Sequence, residues 1–294
     1  MAARTFATRG TVRHSSKRVN GPLVPLVLIG LSLLLSATGA SAAMPALPAG
    51  AQAIWVVAQP EEIVTYLAFD PARVERRLPP ALRFITVGEL AAGDVQWAKE
   101  FLQDHPAQAA WGVSFLEIVR MRTFTIDGRG PSWPAHGAAA LWFARVAPSD
   151  STADLGPGRP FLALDLWIPD RAYVAYMLAK GYHATYGDVR LRRSSTGTWA
   201  GSVKDDGLRV TAACTPEGPV TGGPGSAGMQ AIFPPASSSV TGVVRIAFAG
   251  HREQSCGRAS SWILRGAHPL VGSVVLGPTS FEFGYDLRGG AYPR

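Results

Sequence analysis

The chain has 294 residues, 47% of them hydrophobic, with 28 basic residues against 21 acidic ones and a formal charge of +7. Arg4, Arg9, Arg13, Lys17 and Arg18 all lie in the first 42 positions, which hold no acidic residue, so the remainder carries 23 basic against 21 acidic groups, a charge of +2. A near-neutral domain with no basic runs beyond pairs such as Arg76-Arg77 and Arg192-Arg193 excludes nucleic acid as an electrostatic partner.

Residues 1–42 pass from charged to apolar (PLVPLVLIGLSLLL) to small (SATGASA), the order of a secretory signal, with cleavage expected after Ala42. The apolar run of about fourteen residues is short of the ~20 that a bilayer helix needs, so no stable membrane span is expected after cleavage. Lys17-Arg18 is not a twin-arginine pair, which favours a Sec-type route to a periplasmic or secreted destination. Residues 43–50 are a Pro/Ala-rich lead-in, and residues 51–294 form one expected domain, long enough to bury a large core.

Asp70 and Pro71 open a predicted short helix that stops at Pro79-Pro80. A second helix is predicted within residues 87–105, starting at Asp94, and a third over residues 172–180, capped by Asp170 and closed by Gly181. Strands are predicted over residues 111–126, 137–146, 161–168, 187–193, 198–203, 208–214, 240–249 and 273–285, where β-branched and aromatic residues alternate in part. Residues 149–160 and 216–228 read as long Gly/Pro/Ser-rich surface loops. Few helices among many strands make this a β-rich α+β protein, a barrel or a pair of packed sheets, and argue against a doubly wound parallel sheet.

Cys214 and Cys256 are the two cysteines, and in an oxidising compartment they suggest one disulfide, worth about 3 to 4 kcal/mol; two buried free thiols are the alternative. Neither belongs to a CxxC pair, His251 has no further ligand nearby, and His105, His136 and His268 make no HxH or HExxH spacing. No metal and no cofactor is therefore expected. GxSxG and a Walker loop are absent from the sequence, and GPGSAG at Gly223 to Gly228 reads as loop composition without the strand-helix context of a dinucleotide-binding GxGxxG.

Three stretches carry a family resemblance. Tyr66-Leu-Ala-Phe-Asp70-Pro71-Ala-Arg-Val-Glu-Arg-Arg-Leu-Pro79-Pro80-Ala-Leu82 resembles the strand, short helix and LPP.L segment of the acetoacetate decarboxylase-like superfamily. Phe115-Leu116-Glu117, the strand after it and Asp127-Gly128 are similar to that family's aromatic-x-Glu strand and turn. The segment from Gly181 to Leu191 falls where the family carries its GFPKK.AD type motif. The resemblance implies a β-barrel-like cone with flanking helices. It also implies Schiff-base decarboxylation by a lysine whose pKa a neighbouring cation depresses, acetoacetate decarboxylase being the standard example of that effect.

At the decisive place the sequence departs from the family. The two lysine positions fall on Ala184 and Thr185, and the domain's lysines are Lys99, Lys180 and Lys204. Lys180 is the candidate for a displaced reactive amine, set against an ordinary positive charge at a helix C-terminus. Glu117 matches a cavity-facing glutamate of the family, and it shares a strand face with Phe115 and Val119. A carboxylate there needs a partner, for which Arg120, Arg122 or an arginine of another strand is available. His183 and Tyr182 occupy or adjoin the family's Pro and aromatic positions, and His183 is a candidate base or donor in place of the lost lysine. Catalytic candidates are thus Glu117, Lys180 and His183, and ligand-binding candidates Phe115, Arg122 and Tyr182.

Three functions follow. The first is an exported decarboxylase-like enzyme acting on a small organic acid or carbonyl compound. The second is a non-catalytic protein of the same fold that binds a small apolar or acidic molecule. The third is an exported structural or interaction module whose cavity is filled by side chains, the eight tryptophans among them. A homo-oligomer is compatible with each.

Overall fold

The computed structural model describes residues 53–58, 60–132, 137–149, 159–180, 182–222, 226–233, 242–257, 261–277 and 279–292. The expected signal and lead-in, with Trp133, His136, Gly181 and residues 150–158, lie outside the described residues.

Strands β1 (Ala53–Ala58) and β2 (Glu61–Phe69) precede 3-10 turns at Pro71–Arg73 and Glu75–Arg77. Strand β3 (Leu82–Phe84) and helices α1 (Val87–Ala92) and α2 (Gln96–Asp104) follow, then a third 3-10 turn at Pro106–Gln108. Next come β4 (Gly112–Arg120), β5 (Thr123–Ile126), β6 (Ala138–Pro148), β7 (Arg159–Ile168) and helix α3 (Arg171–Ala179). The chain continues through β8 (Thr185–Tyr186), β9 (Asp188–Arg193), β10 (Trp199–Lys204), β11 (Leu208–Cys214), β12 (Pro216–Gly222) and β13 (Ser226–Phe233). It ends with β14 (Gly242–Ala249), β15 (Arg252–Cys256), β16 (Ser261–Gly266), β17 (Val274–Val275), β18 (Ser280–Phe283) and β19 (Asp286–Tyr292).

Local chemistry accounts for the boundaries. Asp70 Oδ1 accepts from Ala72 N at 3.1 Å, and Pro71 takes the first position, as expected. The buried Val74 leaves the helical region at φ −129°, so the predicted helix is two 3-10 turns. Asp94 sits in the left-handed region at φ 63°, which moves the start of α2 to Gln96. The sequence reading passed over α1, although Thr86 and Glu89 form a reciprocal capping box there. Within the stretch expected as a loop over residues 216–228, residues 216–222 and 226–228 are strand. These are β12 and the start of β13; β12 ends the sheet, where one row of ladder bonds suffices and Pro216 and Pro219 are tolerated.

Fifteen strands join in one sheet whose main path runs β12-β15-β18-β2-β4-β6-β7-β13-β14-β19-β1-β5. The pairings are antiparallel except where β7 meets β13 and β8. A second sheet, β16-β11-β10-β9, packs on one face of the first. Between the two sheets lie Ile63, Leu116, Ile118, Trp142, Trp167 and Trp199, all buried. Approach is close there: a Cβ added to Gly201 of β10 would stand 3.0 Å from Ile118 Cδ1. The other face of the large sheet has its own core, in which Val64, Phe115 and Phe143 meet Val57 of β1 and Phe124 and Ile126 of β5. Strands far apart on the path thus share one cluster, so the sheet curls around it.

The β-rich α+β class expected from the sequence is what these strands form. Cys214 and Cys256 form the expected disulfide, with Cα atoms 5.1 Å apart, linking the end of β11 in the small sheet to the end of β15 in the large one. Among the described residues no helix is long and apolar enough to cross a membrane.

Candidate functional site

Strand register gathers the site. Glu62 of β2 stands opposite Val119 of β4, and Val64 opposite Glu117, so Glu62 and Glu117 share the face that carries Phe115 and Val119. On the other side of β2, Glu282 of β18 lies directly opposite Glu62, and Glu253 of β15 directly opposite Glu282. Four glutamates from four strands therefore point to one side of the large sheet. Tyr285 and His251, just outside β18 and β15, close the group.

The inner part is a hydrogen-bonded chain. Tyr285 Oη donates to Glu62 Oε1, and Glu62 and Glu117 hydrogen-bond to each other. Two carboxylates have no proton to share, so the pair holds at least one. Burial, then the charges of Glu117 and Glu282, raise Glu62 well above the ordinary carboxylate range against the opposing effect of Tyr285 and His251. Burial first and Glu282 second raise Glu117 to about 8. The titration belongs to the pair rather than to either residue. Tyr285 is itself held well above its usual value, by burial and then by Glu62 and Glu117.

The outer part is more open: side-chain exposure rises from 15% at Glu282 to 29% at His251, whereas Glu62 is 2% exposed. His251 Nε2 lies 2.6 Å from Glu282 Oε2. Burial on its own would lower His251, yet the Glu282 hydrogen bond, with the charges of Glu282, Glu62 and Glu253, raises it.

The sequence-predicted residues are divided by the fold. Glu117 belongs to the cluster, and Phe115 packs in the core beside it with the rings of Tyr66, Phe143 and Phe161. Tyr182 is buried in that same core, as is Ala184 at one of the two family lysine positions. Arg122 is exposed. Arg120, weighed as a partner for Glu117, instead pairs with Glu61 and lies over Trp199, while the hydrogen-bond partner of Glu117 is Glu62. Lys180 caps α3 at the surface, 3.1 Å from Asp127, which raises its pKa by hydrogen bond and charge. Lys99 is exposed beside Asp94, and Lys204 is exposed on β10.

His183 lies elsewhere, near the buried Asp165, with its Nδ1 3.9 Å from Asp165 Oδ1. Asp165 pairs with Arg77 at 2.5 Å and His268 Nε2 at 3.3 Å. The backbone N–H of Leu270 donates to His268 Nδ1 at 3.2 Å, which leaves Nε2 as the ring nitrogen turned toward Asp165. This second cluster faces the inter-sheet core, since Asp165 is opposite Trp142 on β6.

Glu62, Glu282, Tyr285, His251 and Glu253 were missed by sequence reasoning. Glu282 between Phe281 and Phe283 carried the same signal as Glu117, a carboxylate within an aromatic strand. The statement that His251 has no further ligand nearby is corrected by strand pairing, which brings Glu282 and Glu253 to it. A surface depression of about 360 Å³ lined by Asp70, Pro71, Ala72, Glu75, Leu78 and Phe84 holds none of these groups. The carboxyl cluster, where enclosed ionisable groups converge, is the better site candidate.

No protein-family model matches the chain, and no curated protein matches it. Solved structures do. The chain resembles acetoacetate decarboxylase-like structures. An acetoacetate decarboxylase-like enzyme from Sphingomonas wittichii RW1 is 12% identical with a TM-score of 0.46, covering 82% of this chain and 92% of its own. Acetoacetate decarboxylase from Legionella pneumophila is 12% identical with a TM-score of 0.49, covering 87% of this chain and 98% of its own. An enduracididine biosynthesis enzyme complexed with pyruvate is 13% identical with a TM-score of 0.47, covering 82% and 88%. Residue roles rest on this chain's own geometry.

Proposed function

We propose that this is an exported protein that handles a small carbonyl compound at the Glu62, Glu117 and Tyr285 cluster by hydrogen bonding and proton exchange, without forming an imine. The observation that carries the reading is the convergence of a proton-sharing carboxyl pair and a phenol on an otherwise apolar sheet face. A protonated carboxyl donates to a carbonyl oxygen and, once ionised, accepts a proton from a neighbouring carbon acid. The surrounding carboxylates repel an anionic ligand, which favours a neutral carbonyl compound over an organic acid anion. The surface positions of Lys99, Lys180 and Lys204 support a site without Schiff-base chemistry, and the Asp127 ion pair keeps Lys180 protonated, the wrong state for attack. The disulfide supports an oxidising compartment.

The test pairs trapping with binding. The metal-free protein is incubated with acetoacetate or with a neutral β-diketone, in the presence and absence of borohydride, and mapped by mass spectrometry. Unmodified lysines and saturable binding of the neutral diketone, weakened by Glu117→Gln, are expected. Carbon dioxide release above background that is lost in Glu117→Gln identifies an enzyme, and binding without turnover a carrier or sensor. A borohydride adduct on Lys180 would overturn the imine-free reading.

A further inference from the structure

We propose that His251, Glu253 and Glu282 bind a divalent transition-metal cation at the outer rim of the carboxyl cluster. The inference goes beyond the carbonyl-handling reading and needs no substrate.

Geometry comes first. One ligand atom from each of the three side chains lies within 4.8 Å of the other two. Donors held about 2.0 to 2.2 Å from a shared cation stand roughly 3 to 3.5 Å apart, so the three close on an ion with ångström-scale adjustments, the 2.6 Å contact of His251 with Glu282 lengthening slightly.

Register supplies an independent reason. Glu62, Glu282 and Glu253 are directly opposed across three neighbouring strands and lie on one face. Like charges in direct cross-strand register destabilise a sheet. The inner end of this row resolves its repulsion by sharing a proton with Glu117 and accepting from Tyr285. The outer end has a single imidazole between two carboxylates, and a dication there joins all three groups.

The supporting contacts are those of a held ligand set. Ser280 Oγ donates to Glu282 Oε1 at 3.0 Å, and Thr221 Oγ1 to Glu253 Oε1 at 3.2 Å, which orients both carboxylates. One imidazole with two carboxylates suits zinc, manganese, iron or cobalt better than calcium or magnesium, and three protein ligands leave coordination positions for water or a ligand oxygen.

The full-length untagged protein, stripped with chelator, is titrated with Zn²⁺ and Mn²⁺ by calorimetry and with Co²⁺ by visible absorption. One cation per chain is expected, with His251→Ala abolishing binding and Glu253→Gln weakening it about tenfold or more. Glu253→Gln keeps the shape of a partly exposed side chain, and circular dichroism checks its fold, so it carries the test even where His251→Ala unfolds. No saturable binding by the wild type, or an unchanged Kd in folded Glu253→Gln, overturns the site.

Discussion

A carboxyl group that loses water and faces other carboxylates is easier to keep protonated than to ionise, and Glu62 and Glu117 are in that position. Their folded pKa values lie above the unfolded value of 4.5, with Glu117 at about 8. The native state therefore binds more protons than the unfolded chain between those limits. The stability this contributes is fully present below about pH 4.5 and is lost as pH rises toward 8. His251, also raised, acts with the same sign, and Glu282, Glu253 and Tyr285 are the other titratable groups facing the pair. Urea unfolding with chelator present should give falling midpoints from pH 5 to pH 8.5. Glu117→Gln, neutral at every pH, should flatten the decline; an equally steep fall in the variant would place its cause elsewhere. Glu117 was legible through the family resemblance and as a carboxylate on the strand face of Phe115 and Val119. Its partners were not, since the separation from Glu62 to Tyr285 is 223 residues and no local pattern reports which strands pair.

At the scale of elements, helix termini were readable and strand continuity was not. Asp170 accepts from Tyr173 N at 3.0 Å, as the capping rule predicts. The Thr86-x-x-Glu89 box offered the same kind of signal for α1. Thr86→Ala removes the side-chain acceptor for Glu89 N and should lower global stability by about 1 kcal/mol, read as a shift in the denaturant midpoint at unchanged slope. An unchanged midpoint would mean that α1 is held by the packing of Val87 and Leu90 alone. The predicted strand over residues 111–126 divides at Met121-Arg122, and β5 pairs with β1 at the far end of the path. β-Branched and aromatic residues continue on both sides of that break, so residue type did not mark it.

For the whole molecule, the class was legible from the ratio of strand to helix signals, and the three motif stretches supplied the family resemblance. The arrangement of fifteen strands was not legible, because pairings such as β2 with β18 are set by packing between distant segments. The disulfide ties the two sheets together, and Cys214 is fully buried in the core between them. Replacing both cysteines by serine should cost about 2 to 5 kcal/mol, checked by urea unfolding of the oxidised protein against the variant. A difference below 1 kcal/mol would show that packing between the sheets suffices.

A sheet this wide has to stop somewhere, and its last strand at one end is β12. An unfinished row of backbone donors and acceptors is a template on which a neighbouring molecule's strand can grow. Here Pro216 and Pro219 remove two donors, the register shifts between Glu217 and Thr221, and Gly218 and Gly222 turn the chain through positive φ. The composition that disguised this segment as a loop makes it a poor seed for molecule-to-molecule growth, so the protein can expose a bare sheet margin without recruiting copies of itself.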